Sequence, residues 1–142
     1  MSQSESTTQA ATRTGGIFEV THPLIEHHLT TLRDVKTGPT EFRRLIHRLA
    51  VLLAYEATKD LESKGVTVET PMSPADGAML TQRIGLVPIL RAGLGMVDSV
   101  LNLIPGAEVW HLGVYRDEST LRPIEYYNRV RESQPVDLAI IL

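Results

Sequence analysis

The chain has 142 residues and a formal net charge of −3, with 42% hydrophobic and 22% charged residues. That length supports one domain with a sizeable core, and the composition is typical of a globular protein in water. The negative charge argues against a bulk nucleic-acid binder, and the lack of cysteine excludes disulfides and thiolate metal sites. No apolar run approaches the ~20 residues that span a bilayer. We therefore expect a cytoplasmic α/β protein with neither a nucleic-acid nor a membrane partner.

The N-terminal part of the chain predicts a tail, a short strand and a helix. Residues 1–16 are rich in Ser, Thr and Gln and carry too little apolar surface to fold, which predicts a disordered tail. The stretch IFEV, residues 17–20, predicts a short strand. In the helix that follows, Thr21 is the expected N-cap, and Pro23 lies in the first turn, where its missing N–H has no helical acceptor.

The next segment carries the clearest helical periodicity in the sequence. Apolar residues recur with a 3.6-residue period after Thr40, which predicts a helix that continues until Gly65 stops it. The alternating stretch VTVETPMS, residues 66–73, predicts a strand that ends at its prolines. The segment ADGAML, residues 75–80, predicts a turn.

The second half of the chain alternates between apolar runs and one helical pattern. These elements are predicted as a strand at 83–90, a helix at 95–104, a strand at 108–115 and a strand at 136–142. The polar stretch between the last two strands predicts a hairpin arm at about 117–135, with one strand near 122–129. This order of strands and connections is typical of a parallel sheet with crossovers, and continuous apolar runs suit strands covered on both faces.

The stretch LVPILRAGLGM, residues 86–96, is the strongest candidate site. Arg91 and two glycines come directly after a predicted strand and open a helix, an arrangement suited to phosphate or pyrophosphate. Three interpretations compete. In the first, Gly93 and Gly95 serve only packing, and Arg91 forms a surface ion pair. In the second, the stretch is a dinucleotide-binding fingerprint, although Asp98 stands where its third glycine belongs. In the third, it is a phosphosugar site.

The segment VPILRAGLGMVDSVLNLIPGAEVWHLGVYRDESTLRP closely resembles the uracil phosphoribosyltransferases, a type I phosphoribosyltransferase family. So do the stretches THPLIEHHLTTLRD, FRRLIHRLAVLLAYEATKDL and VTVETP. The resemblance extends from about residue 17 to residue 142. It implies a phosphoribosyltransferase-like (Rossmann-like) α/β fold, with N-terminal helices on a parallel sheet that is incomplete at its C-terminus.

The resemblance also implies an activity and a set of binding residues. The family joins uracil to 5-phospho-α-D-ribose 1-diphosphate in pyrimidine salvage, giving UMP and diphosphate, with Mg²⁺ on the pyrophosphate of the donor. Arg91 matches the family's pyrophosphate loop, and Arg116, in VYRDE, matches a second arginine that reaches the donor. The strands before the two arginines are expected to lie side by side and parallel, so we expect Arg116 to reach the same pocket as Arg91. The rest of the matching loop is Ala92, Gly93, Leu94 and Gly95. No catalytic side chain and no metal ligand is expected from the chain.

The sequence departs from the family pattern after VDLAIIL. In the family this strand runs into an acidic, glycine-rich loop, roughly D-P-M-L-A-T-G-G, that binds the ribose hydroxyls and the 5′-phosphate, and the uracil pocket comes later still. The 142 residues contain neither feature. We therefore expect the N-terminal portion of such an enzyme, truncated and inactive by itself. The alternative is a non-catalytic binding or assembly remnant that keeps part of a phosphate site.

Two further features bear on regulation and assembly. The basic stripe of Arg43, Arg44 and Arg48 on the long helix is either a solvated face or, because some members of the family respond to GTP, a site for GTP as an activator. The arm at 117–135 is either a solvent-exposed loop or an element that, like the family's β-arm, embraces a second subunit. The resemblance implies that the full-length parent is a homo-oligomer. His47, within the long helix, is expected to be a structural histidine.

Overall fold

The computed structural model describes residues 16–130 and 134–142. The predicted disordered tail therefore lies, except for residue 16, outside the described residues. The described elements, in chain order, are α1 (Pro23–Arg33), α2 (Pro39–Ala57), β1 (Ser63–Glu69), β2 (Pro74–Leu80), β3 (Ile84–Val87), β4 (Ile89–Leu90), α3 (Leu94–Leu103), β5 (Glu108–Val109), β6 (Leu112–Arg116), β7 (Pro123–Asn128) and β8 (Leu138–Ile141).

The start of the fold differs from the prediction in two details. The ring nitrogen Nδ1 of His22 accepts a hydrogen bond from the amide of Leu24 at 3.1 Å, so His22 and not Thr21 caps α1. Residues 17–20 are irregular, and the predicted strand there is wrong. A strand needs a partner for its backbone groups, and among the described strands none pairs with this segment.

The region after α2 corrects the sequence reading most. The helix ends at Ala57, and Thr58 is its C-cap: the amide and the hydroxyl of Thr58 both donate to the carbonyl of Ala54, at 3.0 and 2.7 Å. The predicted stop at Gly65 is wrong, since Gly65 lies inside β1. The predicted turn at 75–80 is also wrong: these residues belong to β2, which pairs antiparallel with β1 over seven residues.

The rest of the chain forms the predicted parallel sheet. β3 lies between β5 and β8 and runs parallel to both, and β4 runs parallel to β6, to which β7 adds an antiparallel strand. The predicted strand at 83–90 is divided at Pro88, which has no N–H to donate to a ladder. Hydrogen bonds from Trp110 to Leu86 and from Leu112 to Pro88, at 2.8 and 3.1 Å, nevertheless continue across the break.

The core lies between the sheet and the helices α2 and α3. Its centre is a buried cluster of Ala54, Ile84, Leu86 and Val100, one or more from each of these three layers. Leu86 has no exposed surface, as expected for the middle of a strand that is covered on both faces. The two helices therefore sit on the sheet at fixed positions, and this sets where the turn before α3 meets the side chains of α2.

Candidate functional site

The site candidate is the turn of residues 91–93, which joins β4 to α3. β4 runs parallel to β6, with Leu90 opposite Gly113. β3, which precedes β4, runs parallel to β8, and the carboxyl ends of these strands lie at the same edge. The turn therefore lies at the carboxyl edge of the sheet, where open α/β sheets bind their ligands. Ile89 donates its amide hydrogen to the carbonyl of Leu142 at 2.9 Å, which ties the turn to the end of β8.

Gly93 is required by close packing and not by an unusual backbone conformation. Its φ of −59° suits any residue. A Cβ atom built on it would lie 2.5 Å from the carbonyl oxygen of Leu142 and 2.9 Å from the Cα of Pro88. Gly95 is different, because its Cβ would make an ordinary contact of 3.7 Å with Ile46. Close packing therefore explains why position 93 is a glycine, as one of the three interpretations predicted, but it does not explain the glycine at position 95.

The backbone amides of the turn are less available than the sequence suggested. The amides of residues 93, 94 and 95 donate to the carbonyls of Ile89, Arg91 and Ala92, at 2.9, 3.2 and 3.2 Å. Within the described part of the chain, the amides of Arg91 and Ala92 have no such backbone acceptor. An anion at this turn would therefore meet the Arg91 and Ala92 amides first. The predicted amide set of residues 92–95 is engaged within the turn at three of its four positions.

A cavity of about 580 Å³ opens beside this turn. One wall is the turn and the start of α3, and the other is the N-terminal half of α2. Its lining residues are Phe42, Arg43, Ile46, His47, Ile89, Leu90, Arg91, Ala92, Gly93, Gly95, Met96 and Leu142. No Asp or Glu side chain lines it, and across the described ranges no carboxylate forms an ion pair with Arg91. The surface ion pair proposed for Arg91 is not formed with any described residue.

Arg116 lies at the end of β6 and lines a second cavity of about 340 Å³. The prediction that Arg91 and Arg116 follow neighbouring parallel strands is confirmed. The prediction of one common pocket is not met, although Ile89 lines both cavities. The reason is that β6 continues three residues, about 10 Å, past Gly113 to pair with β7, and this carries Arg116 beyond the turn. The roles of both arginines toward a phosphoribosyl donor stay predictions.

The loop after Arg116 is held by one carboxylate. Asp117 Oδ1 accepts hydrogen bonds from the hydroxyl of Ser119 at 2.6 Å and from the amide and hydroxyl of Thr120, both at 2.7 Å. These bonds, with that from Ser119 the largest effect, lower the pKa of Asp117 to about 2. The predicted arm is therefore a tight hairpin as far as residue 130, and residues 131–133 of the prediction lie outside the described residues. An embrace of a second subunit stays a prediction.

The basic stripe on α2 divides in the structure. Glu41 forms ion pairs with Arg44 and Arg48 at 3.7 and 3.6 Å, whereas Arg43 lines the cavity beside the turn. The predicted basic stripe grouped Arg43 with the other two arginines, and its place beside the cavity was not expected from the sequence. The spacing of Arg43 and His47 was the available signal, because residues four apart on a helix share a face and both line the cavity.

His47 is a structural residue, as predicted. Its Nδ1 lies 2.7 Å from the hydroxyl oxygen of Ser99, which is 3% exposed. This hydrogen bond joins α2 to α3. It satisfies the one polar side chain found buried in the described part of the chain.

Metal-ligand clusters and membrane-spanning helices were both sought among the described residues. Residues 16–130 and 134–142 contain no group of three or more His, Asp and Glu side chains that could ligate a metal ion. None of the helices in these ranges is long and apolar enough to cross a membrane.

Comparison with known proteins identifies the family. The family model described as uracil phosphoribosyltransferase matches residues 19–142. Curated relatives named uracil phosphoribosyltransferase include one from Roseiflexus castenholzii, 52% identical over 126 residues, and one from Clostridium beijerinckii, 51% identical over 124 residues. These alignments cover 89% and 87% of this chain but 61% and 57% of the relatives, so the chain spans somewhat more than half of their length.

A solved structure supports the same assignment at the level of the fold. The AQ2163 protein from Aquifex aeolicus is similar with a TM-score of 0.79 and 36% sequence identity, over 88% of this chain and 60% of that one. The mixed α/β architecture and the parallel sheet agree with the predicted phosphoribosyltransferase-like fold. The chain belongs to the uracil phosphoribosyltransferase family of transferases.

Proposed function

We propose that the whole protein is a uracil phosphoribosyltransferase, which converts uracil and 5-phospho-α-D-ribose 1-diphosphate into UMP and diphosphate. The observation that carries this proposal is the cavity beside residues 91–93, in a chain that belongs to this family. The cavity lies at the carboxyl edge of the sheet, is lined by Arg91, and has no Asp or Glu side chain in its lining. Such a site favours an anion with several oxygens.

The reaction needs charge stabilisation more than it needs a nucleophilic side chain. The C1–O bond of the donor breaks, a uracil nitrogen bonds to C1, and that nitrogen loses its proton. Positive charge develops on the ribose and negative charge on the departing pyrophosphate. We assign to Arg91 the stabilisation of the pyrophosphate, because a preoriented guanidinium acts where this charge develops.

Arg116 is assigned to the donor as well, from the neighbouring cavity. Because Ile89 lines both cavities, one extended ligand that crosses this residue could contact both arginines. Mg²⁺ bound to the donor would act as a Lewis acid on the pyrophosphate. Its ligands would come mainly from phosphate oxygens of the donor.

The test is a steady-state comparison of the full-length protein with its Arg91→Ala variant. We expect kcat/KM for the donor to fall by about 10²-fold or more, by analogy with the removal of other donors to a developing anion. Arg33→Ala is the matched control, since Arg33 is exposed in the last turn of α1 and lines neither cavity. An Arg91→Ala variant with the kcat/KM of the control would contradict the assignment.

Regulation and assembly are part of the same proposal. We expect the full-length protein to be a homo-oligomer, with the hairpin of β6 and β7 at an interface, since Tyr126 and Tyr127 are both substantially exposed there. A GTP activator would bind near Arg44 and Arg48, which keep their charged ends at the surface. Sedimentation and assays with and without GTP test these two points.

The second candidate is a binding or assembly protein that keeps only part of the phosphate site. It is favoured by one observation: the 142 residues contain no acidic, glycine-rich loop, and their one Gly-Gly pair is at residues 15 and 16. Under this candidate the cavity would bind pyrophosphate without any turnover. An assay of UMP formation by the full-length protein separates the two.

A further inference from the structure

The cavity beside residues 91–93 has a second cationic wall. Arg43 lines it from α2, opposite Arg91 in the turn, and Asp and Glu are missing from its lining. The nearest acidic residue along α2, Glu41, pairs with Arg44 and Arg48. Among the described residues, no ion pair involves Arg43. Two guanidinium groups on one cavity repel each other unless an anion lies between them, so the arrangement favours an anionic ligand.

The packing of α2 on α3 explains why Arg43 reaches this wall. His47 bonds to Ser99, and Ile46 lies 3.7 Å from the Cβ position of Gly95. Ile46 lies beside Gly95, and Ala54 shares a buried cluster with Val100, so residue numbers rise together on the two helices and their axes run in roughly the same direction. One helical turn back from the His47–Ser99 pair therefore brings Arg43 level with Gly95 at the start of α3. The hydrogen bond to Ser99 fixes this register.

The other lining residues strengthen the effect of the two charges. Phe42, Ile46 and Met96 give the cavity an apolar surface between the arginines. Water is less able to screen charges beside such a surface, so a bound anion interacts more strongly with both guanidinium groups. Arginine also presents a planar fork that matches phosphate oxygens in pairs.

We propose that Arg43 is a second binding residue for the pyrophosphate of the phosphoribosyl donor, acting together with Arg91 from the opposite wall of the cavity. This inference rests on the proposed function, because the donor is known only through it. In this arrangement Arg91 binds the pyrophosphate from the turn and Arg43 binds it from the helix layer. Arg43 would then act on donor binding in the ground state and on the leaving group as its charge develops.

The experiment measures binding of Mg²⁺–pyrophosphate to the full chain by calorimetry. The variants are Arg43→Ala, Arg91→Ala and the control Arg33→Ala. A fourth variant, Arg43→Lys, keeps the positive charge but loses the planar guanidinium. We expect Arg43→Ala and Arg91→Ala each to weaken binding about 10-fold or more, the range for hydrogen bonds to charged groups. Arg33→Ala should leave binding unchanged, and the affinity of Arg43→Lys should lie between those of Arg43→Ala and the unsubstituted chain.

The outcomes separate this inference from the proposed function. If Arg91→Ala weakens binding while Arg43→Ala and Arg43→Lys both match the Arg33→Ala control, Arg43 has no role, and this inference is overturned while the proposed function stands. If the unsubstituted chain binds pyrophosphate no better than Arg91→Ala does, the phosphate site itself is overturned. Ribose 5-phosphate is a second probe: a loss for Arg43→Ala with this ligand and not with pyrophosphate would overturn the assignment to the pyrophosphate.

Discussion

Replacement of Gly93 by alanine tests whether the turn at the carboxyl edge depends on backbone packing. The new Cβ would lie 2.5 Å from the carbonyl oxygen of Leu142, 2.8 Å from the amide nitrogen of Ile89 and 2.9 Å from the Cα of Pro88. All three neighbours are backbone atoms, so no side chain can rotate away. Relief requires a shift of about 1 Å, which separates the end of β8 from the turn and breaks the hydrogen bond between Ile89 and Leu142. Overpacking of this kind costs about 1–3 kcal/mol, and the lost hydrogen bond adds about 1 kcal/mol.

Gly95→Ala is the matched control two residues away. Its Cβ would meet only the Cγ2 of Ile46, at 3.7 Å, and Gly95 lies in α3 with ordinary backbone angles. Alanine there should stabilise the protein by about 0.4–1 kcal/mol, because it restricts the unfolded chain. The free energies of unfolding of the two variants should therefore differ by about 2–5 kcal/mol.

Urea unfolding followed by tryptophan fluorescence measures this difference. Trp110 is the single tryptophan of the chain and is 8% exposed, so its emission reports on the loss of the core. Gly93→Ala should also weaken pyrophosphate binding, because the shift displaces Arg91. A Gly93→Ala variant as stable as Gly95→Ala would refute the reasoning that Gly93 is required by packing.

Three further predictions concern other parts of the molecule. His47→Ala should lower the free energy of unfolding by about 1–3 kcal/mol, since it leaves the buried hydroxyl of Ser99 without a partner, and the double variant with Ser99→Ala should recover part of this loss in urea titrations. The pKa of Asp117 falls from 3.8 to about 2 on folding, so its carboxylate stabilises the protein above about pH 4 and this contribution is lost as the pH falls through 2. Thermal melts between pH 5 and pH 2 should show this loss in the unsubstituted protein, and the difference from Asp117→Asn should be constant if the carboxylate has no such effect. A polypeptide of residues 1–142 should form no UMP from uracil, donor and Mg²⁺. Positioning two reactants lowers the activation barrier by about 7–11 kcal/mol, and this stretch has no loop for the ribose. UMP formation at the rate of the full-length protein would contradict this prediction.

Sequence patterns alone determined the elements that rest on local periodicity. The apolar repeat after Thr40 predicted α2, and Pro23 correctly marked the first turn of α1. Continuous apolar runs predicted the buried strands β3 and β8 and their place in a parallel sheet. The stretch around Arg91 predicted an anion site directly after a strand. The structure has this turn at the carboxyl edge of the sheet, and the binding of an anion there stays a prediction. These features follow from side chains that lie close together along the chain.

Other features depend on contacts between distant residues, and only the tertiary structure decided them. β2 forms because residues 74–80 pair with β1, and the sequence of these residues contains no signal of that pairing. Arg116 is separated from Arg91 because β7 extends the hairpin of β6. Arg43 and Arg44 are adjacent on α2, and the packing of α2 against α3, with the hydrogen bond between His47 and Ser99, brings Arg43 and not Arg44 to the cavity. Periodicity predicts that a helix has faces, but packing against another helix decides what each face meets.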